Sequence, residues 1–149
     1  MAAPRTTIDA IATTCIAGRL RILNRVITNL YDDALRPFGV KLSQGNVLAV
    51  TAKLGVARPA QVCDILELDT STLSRTVDRM VENGWLEILP DDDGRSHPFR
   101  LTPQGKRLME KTIPAWERAQ AEAATLLGDD GLELLDAAIR RVKSTPPRS

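Results

Sequence analysis

Aromatic side chains are scarce in this 149-residue chain, at 3% of its residues. A core with so few rings must be filled by Leu, Ile, Val and Ala, which suits helices packed on helices. Cysteine is also rare. Cys15 and Cys63 stand far apart without any CxxC or Cys/His spacing, which argues against a disulfide framework and a structural zinc site. The single histidine, His97, has no sequence neighbour with which to hold a metal. No apolar run approaches the ~18 residues of a membrane span, and no signal-peptide pattern opens the chain. A cytoplasmic protein, reduced at rest and without membrane association, is expected. A glycine-rich phosphate loop and a nucleophile elbow are both missing, and paired carboxylates fall only in turn-like segments. An enzyme is therefore not expected, nor is a cofactor. The net charge of +1 is compatible with a basic face on a near-neutral total.

What is present is concentrated between Leu68 and Gly105. Asp69 caps a helix that Gly84 stops after Asn83, with Leu73, Val77, Met80 and Val81 as its inner stripe. A short apolar strand, Trp85 to Leu89, leads to the turn Pro90-Asp91-Asp92-Asp93-Gly94-Arg95. A return strand runs through Leu101, and Thr102-Pro103 starts another helix. Upstream, Ser43 serves as N-cap for a helix over Gln44 to Leu54. Pro59 opens a shorter one to Leu66 that buries Val62, Ile65 and Leu66, with Cys63 as packing on the same face. Two short helices followed by a capped helix and a hairpin make a winged helix-turn-helix. The fold class is mainly α with a small β wing.

Long helices flank this unit. The first is expected from about Ile8 to Arg36, with an apolar seam of Ile16, Leu20, Leu23, Ile27, Leu30 and Ala34 in heptad rhythm. Another runs from Thr102-Pro103 to about Leu127, bent at Pro114, with Met109, Ile113, Trp116, Ala119 or Gln120, and Ala123 inward. After a turn at Gly128-Asp129-Asp130-Gly131, a last helix covers Leu132 to Val142, leaving a frayed tail from Ser144 to Ser149. One domain results, with a reading lobe over 42–101 and dimerisation helices over 8–36 and 103–143. These seams exceed what one small lobe can cover, so a homodimer with interlocking helices is expected; intramolecular packing is the alternative.

The reading helix begins Asp69-Thr70-Ser71-Thr72-Leu73-Ser74-Arg75. Its N-terminus offers free N–H groups and a positive dipole end to phosphate. Thr70, Ser71, Thr72 and Ser74 are small enough for a groove and can bond to phosphate or base edges. Arg75 and Arg79 share one face, with Asp78 and Glu82 offsetting their charge, and Ser43 and Gln44 sit at the start of the preceding helix. At the hairpin tip Arg95 suits a narrow minor groove, with Asp93 able to fold back and orient it. An ordinary capped surface helix and a bland Asp-rich turn would share these compositions. The order of the parts is the stronger signal.

The run Leu73 to Leu86, the turn Asp91-Asp92-Asp93-Gly94-Arg95 and the element Leu101-Thr102-Pro103-Gln104-Gly105 together resemble the MarR family of bacterial transcription regulators, over about Cys15 to Leu127. Gly94 stands where the family often has a second basic residue. The resemblance implies an obligate dimer whose recognition helices enter the major groove of a pseudo-palindromic operator in double-stranded DNA, with Arg95 reaching the flanking minor groove. It also implies control by a small aromatic or anionic ligand in a cleft beside the dimerisation helices, or by oxidation of a cysteine. Cys15 lies roughly where peroxide-sensing members keep their thiol. Arg19, one turn on, could lower its pKa, although beside an apolar seam Cys15 could equally be a small packing residue. Tyr31, Trp116 and Arg19 are the ligand candidates, Trp116 doubling as core, while His97 reads as surface. A dimeric repressor is the leading reading, and a winged-helix module for protein partners is the alternative.

Overall fold

The computed structural model describes residues 7–91 and 94–146. Its elements are α1 (Thr7–Thr14), α2 (Ile16–Leu35), a 3-10 turn (Arg36–Phe38), α3 (Leu42–Leu54), α4 (Pro59–Leu66), α5 (Thr70–Glu82), β1 (Leu86–Ile88), β2 (Phe99–Leu101) and α6 (Pro103–Ser144). The expected class, mainly helical with a two-stranded wing between long terminal helices, is the observed one. Among the described residues, no helix is long and apolar enough to cross a membrane.

The reading lobe closes around aliphatic side chains and one ring. Val47 and Leu48 of α3, Val62 of α4 and Leu73, Val77 and Met80 of α5 meet Leu86 and Phe99 from the wing. The strands pair antiparallel, with Leu86 opposite Leu101 and Ile88 opposite Phe99. Ala57, just before α4, exchanges both backbone hydrogen bonds with Phe99 at 2.8 and 2.9 Å. The wing therefore gains a one-residue third strand, and its return limb is rooted on the helix-turn-helix.

A second, smaller cluster joins the terminal helices. Tyr31 of α2 packs with Ala119 and Ala123 of α6, and its hydroxyl donates to Gln120 Oε1. The buried face of α6 in this region is Ala115, Ala119 and Ala123 at four-residue spacing. Such small side chains let α2 approach closely. The heptad reading had placed Ile113 and Trp116 inward. They lie off the alanine stripe, and Trp116 is 45% exposed.

Other boundaries also moved. The first helix is not continuous: Cys15, with ψ 119°, separates α1 from α2. The hydroxyls of Thr13 and Thr14 donate to the carbonyls of Asp9 and Ala10, a back-bonding that bends and ends helices. Helix α3 starts at Leu42, and its N-cap is Lys41 rather than Ser43. The expected turn at 128–131 reduces to Gly128 alone (φ 71°, ψ 166°), and Asp129 to Gly131 are helical. On α4 the packed stripe is Val62, Cys63 and Leu66, whereas Ile65 is 47% exposed on the other side. Helix α6 carries through Pro114 and is interrupted at Gly128, so the expected two helical segments are present, the second running to Ser144, and the tail beyond 146 lies outside the described residues.

Three long-range fastenings hold the lobe to the terminal helices. Asp32 Oδ1 of α2 accepts the backbone N–H of Leu42 at 2.7 Å, capping α3 from a distance. Lys143 Nζ, near the end of α6, donates to the carbonyls of Asp64 and Ile65 at 3.1 and 3.3 Å. That places a cation on the carboxyl end of α4, where the helix dipole favours it. At the start of α6, Thr102 N donates to Trp85 O at 3.1 Å. Its hydroxyl donates to Gly84 O at 2.5 Å and accepts Gly105 N–H at 3.0 Å. Gly105 is required for this joint, because a Cβ there would overlap the Trp85 carbonyl. Gly105→Ala should therefore lower unfolding stability by about 2 kcal/mol, read as a drop in urea midpoint. An unchanged midpoint would show that α6 and β1 can separate without cost.

Candidate nucleic-acid interface

Helix α5 owes its position to its apolar stripe and its entry to Asp69. Leu73, Val77 and Met80 face the core, which leaves Thr70, Ser71, Ser74, Arg75, Asp78 and Arg79 exposed. Asp69 Oδ1 accepts Thr72 N–H and the Ser71 hydroxyl, each at 2.7 Å, and Oδ2 accepts the Thr72 hydroxyl at 2.9 Å. The backbone bond of Thr72, then the two hydroxyl bonds and the Arg75 charge, lower the Asp69 pKa to about 2. The bonds redistribute the roles expected of the hydroxyls. Each hydroxyl has one proton, and those of Ser71 and Thr72 are turned back onto the cap. Thr70 and Ser74 carry no such bond among the described residues.

Arg75 and Arg79 do not stand alone. With Thr72 and Thr76 they line one side of a hollow of about 290 Å³ whose other side is Lys41, Ser43 and Gln44 at the start of α3. Five of the nine expected DNA-facing residues, Ser43, Gln44, Thr72, Arg75 and Arg79, are thus brought together. Gln44 itself is buried, and its Oε1 accepts Lys41 N–H at 3.0 Å, so it builds the corner. Lys41 was missed, and it adds a third cation to the hollow. A lysine before a helix carries no distinguishing signal in sequence.

The other face of α5 looks at the wing. Thr70, Ser74 and Arg95 line a larger groove of about 810 Å³, together with Arg58, Cys63, Ser96 and His97. Arg95 is exposed and follows Gly94 (φ 66°), while His97 holds a left-handed φ of 41°. The fold-back expected of Asp93 lies outside the described residues. Eight of the nine expected residues therefore fall on two neighbouring surfaces, five in the basic hollow beside α3 and three in the groove beneath the wing, while Ser71 is turned onto the Asp69 cap.

The four effector candidates are not brought together. Cys15 is exposed at the break between α1 and α2, and Arg19 Nη2 donates to Thr13 O at 3.3 Å. Tyr31 is buried against α6, and burial raises its pKa. Trp116 lines a hollow of about 230 Å³ with Leu35, Val40, Asn46, Met109 and Ile113, where α3 meets α6.

A short helix whose successor presents hydroxyls and arginines outward, followed by a wing anchored on the same lobe, is a winged helix-turn-helix of the kind that reads duplex DNA. Residues 38–96 match the sequence model of the MarR family. The chain is 31% identical to the multiple antibiotic resistance protein MarR of Salmonella typhimurium over 96 residues, 63% of this chain and 67% of that one. The chain belongs to the MarR family of winged helix-turn-helix transcription regulators, which are not enzymes. Among solved structures, a cysteine variant of MarR from Escherichia coli complexed with operator DNA shares the fold. Its TM-score is 0.78 at 22% identity, covering 89% of this chain and 96% of that one. The Mycobacterium tuberculosis regulator MOSR in complex with DNA superposes with a TM-score of 0.77 at 26% identity, over 87% and 93% of the two chains.

The cap gives a pH test. The Asp69 pKa falls from an ordinary 3.8 to about 2. Its contribution to stability is therefore whole above pH 3.8 and is lost as pH falls toward 2. The difference in urea stability between the wild type and Asp69→Asn should shrink across that window. A difference that stays constant from neutral pH to pH 2 would mean the cap is not charged.

Proposed function

We propose that two copies of this chain form a homodimer that binds a pseudo-palindromic operator and represses transcription until a small ligand or an oxidant releases it. The observation that carries the reading is the basic hollow, in which Lys41, Arg75 and Arg79 converge from α3 and α5. Three cations on a chain of net charge +1 form a local field suited to phosphate. The α5 N-terminus enters the major groove, and Thr70 and Ser74 face the side on which Arg95 follows the DNA into the minor groove.

Dimerisation is supported by apolar side chains that one copy leaves in water. Ile16, Leu20 and Val142 are 73%, 57% and 70% exposed, and they belong to the helices that carry the heptad seams. Isolated exposed aliphatics are ordinary, but rows of them along one pair of elements mark an interface. A second copy brings its own α2 and α6 and turns one reading head into two.

For control, the hollow beside Trp116 is large enough for one aromatic ring, since a cavity of ~150 Å³ holds benzene. Asn46 and Thr112 are its polar groups, and its lining includes no cation. These residues favour the aromatic over the anionic part of the effector expectation. Oxidation is supported by the exposure of Cys15 at a helix break.

Anisotropy titrations with the gene's own upstream DNA and with random duplex test the whole reading. The upstream duplex should bind more tightly, and Arg75→Ala should weaken it by about 10-fold or more. Lys41→Ala should reduce the salt slope by roughly one, and Arg95→Ala should give a smaller loss. Equal affinity for both duplexes would overturn sequence-specific regulation and favour a protein-interaction module. Peroxide treatment of the complex separates the two signals. Release that disappears in Cys15→Ser assigns the thiol, whereas release that persists removes it as the sensor.

A further inference from the structure

Arg58 lies outside every DNA-facing position expected from the sequence, yet it reaches the wing. Its backbone is fixed twice over. Ala57, immediately before it, is paired to Phe99 through both backbone bonds, and Arg58 N–H itself donates to Gln61 Oε1 at 3.0 Å. From this fixed root the guanidinium donates through Nη1 to the Ser96 hydroxyl oxygen at 2.5 Å. Ser96 then donates its hydroxyl proton to Asp91 Oδ2 at 2.5 Å, and its backbone N–H to the same oxygen at 3.1 Å.

The result is a chain of polar groups with a cation at one end and an anion at the other. A hydroxyl in the middle can accept from the first and donate to the second at once, and each bond polarises the next. It spans three parts of the fold: the start of α4, the return limb of the wing and the outgoing limb at Asp91. Phe99 holds the return limb through the main chain, and Ser96 holds it three residues earlier through a side chain. Arg95 is the next residue toward the tip.

We propose that Arg58, acting through Ser96 and Asp91, is a positioning residue that sets the wing's angle and so presents Arg95 to DNA. The proposal rests on the wing contact put forward under Proposed function. Arg58 touches no DNA in this arrangement, and its effect passes through another arginine.

Two measurements on the full-length protein test it. In the free protein, amide hydrogen exchange at Ser96 should speed up in Arg58→Ala and Ser96→Ala and stay near wild type in Ser96→Thr, which keeps the hydroxyl. Unchanged exchange in Arg58→Ala would overturn the strut itself. In operator titrations, Arg58→Ala and Ser96→Ala should each weaken binding by about 3- to 10-fold without changing the salt slope. The Arg58→Ala/Arg95→Ala double variant should bind no more weakly than Arg95→Ala alone, because the strut has nothing left to position.

Additive losses, or a slope reduced by roughly one, would overturn the proposal and make Arg58 a direct phosphate contact. An Arg95→Ala protein that binds like the wild type would remove the wing contact. That outcome overturns the earlier reading and this role together, whereas a normal Arg95 loss with no Arg58 effect overturns this role alone.

Discussion

The arrangement of the whole molecule depends on the knot around Thr102. Three hydrogen bonds converge there, joining the end of α5 at Gly84, the start of β1 at Trp85 and the first turn of α6 at Gly105. The helix that presents side chains to solvent and the first segment of α6, which packs on α2 through its alanine face, therefore share one junction. Neither can tilt without disturbing the other. Asp32 fastens α2 to α3 in the same manner, and Lys143 ties the end of α6 back to α4. The reading lobe is thus fastened to the terminal helices at three corners.

Polar groups are divided between holding the structure and addressing a partner. Asp69, Ser71, Thr72 and Gln44 spend their hydrogen bonds on helix ends. This leaves Thr70, Ser74 and the longer side chains of Arg75 and Arg79 facing solvent past the capped turn. The division explains how a chain with balanced charge can still have a basic surface: several carboxylates are turned inward onto backbone N–H groups or serine, while cations on the same elements remain exposed.

How much of this was legible in the sequence depended on how far each signal reaches. Asp69, Gly84 and the Leu-Thr-Pro-Gln-Gly element act within a turn of themselves, and they located α5, the wing and the start of α6 correctly. The break at Cys15 was missed because two threonines that bond back to the preceding turn look, in a heptad count, like ordinary helix positions. On α6, Ala119 and Ala123 stood in the expected seam, but Ile113 and Trp116 took the place of Ala115 because large apolar residues draw attention that close packing gives to small ones. Asp32 at Leu42, Lys143 at Asp64 and Arg58 at Ser96 join residues distant in the chain. No local pattern announces such pairs, since the partner is chosen by the fold. The same reason hid Lys41, whose neighbours across the hollow come from α5. Of the residues that line the hollow, Ser43, Gln44, Thr72, Arg75 and Arg79 stood among those expected, and Lys41 and Thr76 did not.

The scarcity of aromatic residues has one more consequence. The two tryptophans occupy different compartments: Trp85 is buried at the junction of α5, β1 and α6, and Trp116 is half exposed beside the hollow between α3 and α6. The single tyrosine, Tyr31, is bonded to Gln120 between the two long helices. The protein thus carries its own optical probes, one indole in the core of the reading lobe and one beside the hollow where α3 meets α6. Red-edge excitation and quencher access would separate their emission, so motion at either place could be followed without attaching a dye.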